Sequence, residues 1–475
     1  MLGRELDSLP NIMPSMSRSM SRSRSSGRDR IVGTDHVWAT VWWLSWPAMI
    51  TMFLQTMNGM LDGIFVGQLG PAALSGVGLA GQVNMVLMAL VMAVSVGTTA
   101  LVARFIGAGQ PRDAEEGVRQ SILLGVFGSL VSATALVAIA RPLLRFMGGE
   151  GEALHLGLTY LYILMAGVTP FYLLLILTGV FRGMGDMWTP LIVMGVVTVV
   201  SIGGDYLLIF GIGPFPTLGV VGAGIATVTS RVVGTLMLLF FLARSPLGRS
   251  LRNGWLPEWR WFTRILNIGG PAAVQGLLRT GGSMIYYSIL GLTLFPDLAI
   301  AALTAGIRTE ALAFMLGLAF STAATSMVGQ NLGAGQPVRA RQSAWAASWQ
   351  GIWIMGLAGL GFFILARPIG SLYTHDAQVL SLIVSYLRIN AISEPFLALS
   401  MILTGAMQGA GATRVPAVAT IATMWLVRLP LTYYLTITLG LGATGAWISM
   451  SGTSILSGLV MLAIFKWTRW EETSV

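Results

Sequence analysis

A thirteen-residue stretch of the chain recurs a little under half its length away. Val102 to Ala114 reads VARFIGAGQPRDA and Val328 to Ala340 reads VGQNLGAGQPVRA, a shift of 226 residues with seven of thirteen positions identical. At the same shift Thr178 to Pro190 (TGVFRGMGDMWTP) meets Thr404 to Pro416 (TGAMQGAGATRVP), keeping Thr, three Gly and Pro. Two separate segments at one offset point to a duplicated half. In a membrane chain such a duplication is the mark of transporters whose site lies between the repeats.

The solvent of the fold follows from composition. Mean hydropathy is +0.75, and 10% of residues are charged, against about 25% in soluble domains. Twelve apolar stretches are expected to span a bilayer as helices, at roughly 38–64, 74–104, 116–140, 154–181, 188–211, 219–243, 262–292, 299–330, 339–366, 378–408, 414–438 and 442–467. The expected fold is an all-α membrane protein. Its N-terminal six-helix lobe covers 38–243 and its C-terminal six-helix lobe 262–467, joined by a linker at 244–261 and flanked by tails at 1–37 and 468–475. Six spans per half is an even number, so the halves enter the membrane in the same sense. A pseudo-two-fold axis along the membrane normal should relate them. The ten-residue alternation of a β-barrel is absent.

The net charge of +9 does not imply nucleic acid. With a cytoplasmic N-terminus, about 20 of the 28 basic residues fall on the cytoplasmic face and three (Arg141, Arg145, Arg367) on the other. This is the positive-inside pattern. Both termini are then expected in the cytoplasm, with anionic lipid beside the charge, and the expected location is the plasma (inner) membrane. Residues 1–37 are Ser-, Arg- and Met-rich, the composition of a disordered basic tail, with Met13, Met16 and Met20 as alternative starts. Trp255, Trp259 and Trp261 suggest an interfacial amphipathic piece in the linker. GAGQP should form a sharp turn between long helices in both halves; neither copy carries the GK[ST] of a phosphate-binding loop. Without cysteine there is no disulfide framework.

Ionisable residues inside spans are functional candidates by default. Asp62, Asp205, Glu310 and Glu394 qualify, with Arg428 as a counter-charge in the second half. Gln55, Asn58 and Asp62 follow i, i+3, i+7 and share a helical face, a polar stripe that suggests an aqueous cavity. Asp205 interrupts SIGGDYLLIF one turn after Ser201. By offset Asp205 falls on Leu431 and Asp62 near Tyr286, so the chemistry should be asymmetric. A buried carboxylate pair is a coupling device: it binds a proton in the working range, or the same oxygens hold Na⁺. Gly183-Met184-Gly185-Asp186 matches the GxGD of intramembrane aspartyl proteases, but the second catalytic Asp of a YD pair is missing, and the expectation is no enzyme.

Taken together, WPAMITMFLQTMNGMLDGIFVGQLGPAALSGVGLA, RFIGAGQ, RGMGD, GGDYLLIFGIG…GVVGAGIAT and EPFLALSMILTGAMQGAG resemble the multidrug and toxic compound extrusion (MATE) family, in order and across about 38–467. The resemblance implies twelve helices in two lobes and antiport of organic, often cationic, compounds against H⁺ or Na⁺. It further implies the branch with acids in the N-terminal lobe, where Asp62 and Asp205 match the family's acids. Gln55 matches its polar residue on the first helix, Thr178 that on the fourth, and Thr227 the Thr after GVVGA. Members often have Asn where this chain has Ser201, a departure that bears on Na⁺ coordination. Asp62, Ser201, Asp205 and Thr227 are thus the expected coupling-ion ligands, for H⁺ or Na⁺. Gln55, Asn58, Thr178, Glu394 and Arg428 are the expected lining of the substrate cavity. No cofactor is expected beyond the coupling ion, and the expected partners are small organic cations and lipid around a monomer. The alternative within the wider superfamily is a lipid-linked oligosaccharide flippase. Twelve spans and few core arginines count against it.

Overall fold

The structure is a computed structural model that describes residues 31–33, 36–212, 216–252 and 254–473. It is built of helices: α1 (Val37–Gly67), α2 (Pro71–Gly107), α3 (Pro111–Phe146), α4 (Gly151–Ala166), α5 (Val168–Gly183), α6 (Trp188–Phe210) and α7 (Val220–Arg244) form the first half. The second half has α8 (Trp259–Leu290), α9 (Pro296–Gly333), α10 (Pro337–Ile364), the short α11 (Ala366–Ser371), α12 (Ala377–Ala391), α13 (Glu394–Gly409), α14 (Arg414–Thr438) and α15 (Gly442–Trp467). Among the described residues nine helices are long and apolar enough to cross a membrane. Two further spans are broken: α4 and α5 meet at 55°, α12 and α13 at 54°. The twelfth, α8, has the length at 32 residues but carries Arg260, Arg264, Gln275 and Arg279. The chain is an all-α, twelve-span membrane protein in two six-helix lobes.

The repeat seen in the sequence is a repeat of contacts. Ser95 Oγ donates to the Leu175 carbonyl at 2.9 Å, and Ser321 Oγ to Met401 at 2.8 Å. Thr99 Oγ1 donates to Gly179 at 3.0 Å, and Thr325 Oγ1 to Gly405 at 2.8 Å. Every member of the second set lies 226 residues after its partner in the first. The GAGQP turns match as well. Gly109 and Gly335 take φ of 68° and 71°, a left-handed conformation that glycine adopts without strain, and Pro111 and Pro337 then start α3 and α10.

Packing does not follow the chain's division into halves. The start of α1 (Val41, Leu44, Ala48, Met52) is buried in the core of the second half, and the start of α8 (Trp261, Phe262, Ile265, Ile268) in that of the first. Toward its end α1 returns to its own lobe, and Val66 joins the first core. Each lobe's first helix is therefore a strut that crosses the seam. Trp261, grouped with Trp255 and Trp259 from the sequence, is buried against Phe105 at 5.7 Å, while the other two are exposed.

The seam lies at one end of the bundle, the end that carries Ile31, Thr473 and both GAGQP turns, called here the terminus side. There α2 is buried almost all round from Val91 onward, and α9 from Ala319 onward. Gly107 packs on the backbone of Gln330, and Gly333 on that of Arg104. These contacts exchange under the 226-residue shift, as two-fold symmetry requires. Any side chain at Gly107 or Gly333 would drive the helices apart. Most of the tail predicted over 1–37 falls outside the described residues, but Ile31 is buried, at 1% exposure.

Candidate functional site

The first lobe gathers its polar side chains where α1, α4, α6 and α7 converge. Tyr160 on α4 donates its hydroxyl to Asp62 Oδ2 at 3.4 Å. The same hydroxyl is within reach of the Thr227 hydroxyl on α7, and it feels the charges of Asp62, Arg231 and Asp205. Asp62 and Asp205 interact electrostatically with each other. Asp205 and Ser201 on α6 are each 1% exposed. The Arg231 guanidinium lies 4.3 Å from the centre of the Phe171 ring, a cation–π contact that holds it beside the cluster.

Several oxygens in this region lack a hydrogen-bond donor: Asn58 Oδ1, Asp62 Oδ1, Ser201 Oγ and Asp205 Oδ1 are buried and unpartnered. Buried polar atoms are ordinarily satisfied. A set made only of oxygens suits a proton or a hard cation such as Na⁺. The structure thus brings Asp62, Asp205 and Thr227 around Tyr160, with Ser201 on the same helix as Asp205. Asn58 and Gln55 lie one and two turns earlier than Asp62 on α1. Thr178 is placed differently. It sits in α5 beyond the break, and its hydroxyl donates to the Leu174 carbonyl of its own helix at 2.7 Å.

Glu394 and Arg428 fall in a separate cluster in the second lobe. Tyr386 on α12 donates to Glu310 Oε2, and Glu310 interacts electrostatically with both Arg428 and Glu394. Glu394 opens α13 at the break, is 1% exposed, and leaves Oε2 without a partner. Arg428 closes a π-helical stretch, Thr423–Arg428, and donates to Thr453 at 2.7 Å and Ser454 at 3.0 Å. Neither of the two clusters contains an ion pair closer than 4.0 Å among the described residues.

Three residues escaped the sequence reading. Tyr160 and Tyr386 stand 226 apart, within Thr159-Tyr160-Leu161 and Ser385-Tyr386-Leu387, a third segment at the repeat offset that points to both. Arg231 gave no signal beyond its place inside a span. One sequence correspondence changes. Gly222 packs on Leu208 and Gly445 on Leu435, and the two leucines stand 227 apart, because the π-helical winding of α14 adds a residue. The counterpart of Asp205 is therefore the buried Thr432 and not Leu431. Asp186 is engaged in structure: its carboxylate accepts the backbone N–H groups of Trp188 and Thr189 at 3.0 Å each and opens α6.

The MatE family model matches this chain twice, over residues 47–207 and 271–434. A probable multidrug resistance protein NorM of Thermotoga maritima is 32% identical over 439 residues, covering 91% of this chain and 93% of that protein. An FAD transporter of Shewanella oneidensis is 28% identical over 349 residues, covering 73% and 76%. In fold, the chain is similar to a solved outward-facing conformation of a multidrug resistance MATE family transporter of the MOP superfamily. The TM-score is 0.85 and the identity 24%, over 94% of this chain and 99% of that one.

Proposed function

Because the chain belongs to the multidrug and toxic compound extrusion (MATE) family, we propose that it is a secondary active antiporter that exports organic, often cationic, compounds in exchange for H⁺ or Na⁺. The observation that carries this reading is the pair of carboxylates, half-buried Asp62 and buried Asp205, each with a buried oxygen that has no donor, beside Tyr160. The multidrug relatives support the substrate class.

In this reading the coupling ion is a second substrate, held by Asp62 and Asp205 with Ser201 and Thr227. Ion binding cancels the charge that attracts an organic cation, so the two compete and exchange results. A ligand shifts a conformational equilibrium only by its differential affinity for the two states. The strut geometry of α1 supplies that difference. Its later half carries Asn58 and Asp62, while its first half is buried against the other lobe. A change at Asp62 is thereby felt where the lobes meet. The contact of Thr56 Oγ1 with the Met315 sulfur at 2.8 Å lies between the two. The lobes alternate between this arrangement, joined on the terminus side, and one joined on the far side. In this reading both termini lie in the cytoplasm and the plasma membrane holds the spans.

Purified protein in liposomes tests this. Ethidium efflux driven by an imposed H⁺ or Na⁺ gradient, and lost in Asp205→Asn, supports the reading and names the ion. Gradient-driven efflux that survives the substitution contradicts it.

A further inference from the structure

We propose that two segments flanking the helical bundle, at Ile31 and at Trp470–Thr473, form a paired latch that holds the lobes together on the terminus side. The proposal rests on the alternating-access reading above. On the N-terminal side, Ile31 is 1% exposed and its side chain occupies the space beside Gly185 of the first lobe. Its carbonyl accepts from Arg339 Nε at 3.3 Å and Nη2 at 3.2 Å, in the second lobe. On the C-terminal side, Trp470 is 2% exposed, stacks on Phe465 at 4.8 Å and donates its indole N–H to the Phe465 carbonyl at 3.0 Å. Arg341 of the second lobe pairs with Glu471 at 2.7 Å. Arg104 of the first lobe donates to the Thr473 carbonyl at 3.4 Å. Each segment thus touches both lobes, and each is tied to an arginine in the first turn or so of α10.

The repeat shows that these arginines are a local departure. Under the 226-residue shift, Arg339 and Arg341 fall on Asp113 and Glu115, so the two copies carry opposite charge after an identical GAGQP turn. A turn needs neither set of charges. A basic second copy is what receives a backbone carbonyl from one terminal segment and a carboxylate from the other. The latch also sits beside the seam. Gln330 Nε2 donates across it to the Gly183 carbonyl at 2.8 Å, two residues from the Gly185 that receives Ile31. Parting the lobes at this end requires Ile31 to leave Gly185 or Arg339, and Thr473 to leave Arg104. Ile31 lies six residues before α1, the helix of Asp62, so the N-terminal catch is close in sequence to the strut that carries the ion site.

The absence of cysteine lets the full chain take spin labels at chosen sites. One pair, Arg112→Cys with Val338→Cys, reports the terminus side; another, Phe146→Cys with Leu372→Cys, reports the far side, all four positions being exposed. In Ile31→Asp the population parted on the terminus side should rise on the order of tenfold, with the far-side distances shortening in step. Arg341→Glu should part that side as well, and adding Glu471→Arg should restore the wild-type distribution. Unchanged distributions in folded Ile31→Asp and Arg341→Glu, or a charge swap that restores nothing, would overturn the latch. A wild type with one distribution under every ion and drug condition would overturn alternation itself, and the latch with it.

Discussion

Tyr160 donates its hydroxyl to Asp62 Oδ2 at 3.4 Å, bridging the first half of a broken helix to the strut that crosses the seam. In the second lobe the equivalent Tyr386 donates to Glu310, which comes from a different helix of the repeat. The fold keeps the tyrosine in both halves and changes the carboxylate it faces.

Tyr160→Phe removes one hydrogen bond to Asp62 and leaves its charge. A neutral donor to a charged group contributes about 1.5–3 kcal/mol. The half-saturating concentration of the coupling ion should therefore change by about tenfold or more, with the protein folded and the lobes intact. Initial efflux rates against ion concentration in liposomes measure it.

Organic-cation binding should weaken as pH falls, since protonating Asp62 or Asp205 removes the negative charge that attracts the cation. In the double variant Asp62→Asn, Asp205→Asn the binding should be weak and flat with pH. Ligand titration in detergent across pH, monitored by tryptophan fluorescence, checks the sign. Stronger binding at low pH in the wild type would contradict it.

Ser95→Ala and Ser321→Ala each remove the same interhelical hydrogen bond, once per lobe. Each should cost about 1 kcal/mol, and the two should agree within a few tenths. Thermal unfolding of the purified variants compares them. A large difference would show that the duplicated contacts differ in energy.

Gly107→Leu places a side chain against the backbone of Gln330. Backbone cannot yield as a flexible side chain does, so the seam should open on the terminus side while each lobe keeps its own core. Distances between labels at positions 112 and 338 should lengthen, with thermal stability falling by about 1–3 kcal/mol.

Much of this was legible in the sequence because the repeat offset does two jobs: it sets the even division into lobes, and it locates matching contacts. Asp62 and Asp205 stood out because a charge inside an apolar run is expensive. The helix breaks at Gly167 and before Glu394 did not, since each lies inside a continuous apolar stretch that hydropathy reads as one span. The crossing of α1 and α8 was also hidden. Apolar residues look alike whichever lobe buries them, so Val41 and Leu44 carry no mark of the core they join. Tyr160 lacks the charge that draws attention in a membrane span, and only its counterpart Tyr386 gives it away. That Glu394 and Arg428 cluster with Glu310 in the second lobe is not legible either, because sequence gives no distances between helices.

The most direct test of the central claim is ethidium efflux from proteoliposomes of wild type and Asp205→Asn under separate imposed H⁺ and Na⁺ gradients. The account predicts efflux by the wild type under at least one gradient, and its loss in the variant at equal reconstitution. Full gradient-driven efflux by Asp205→Asn would contradict it.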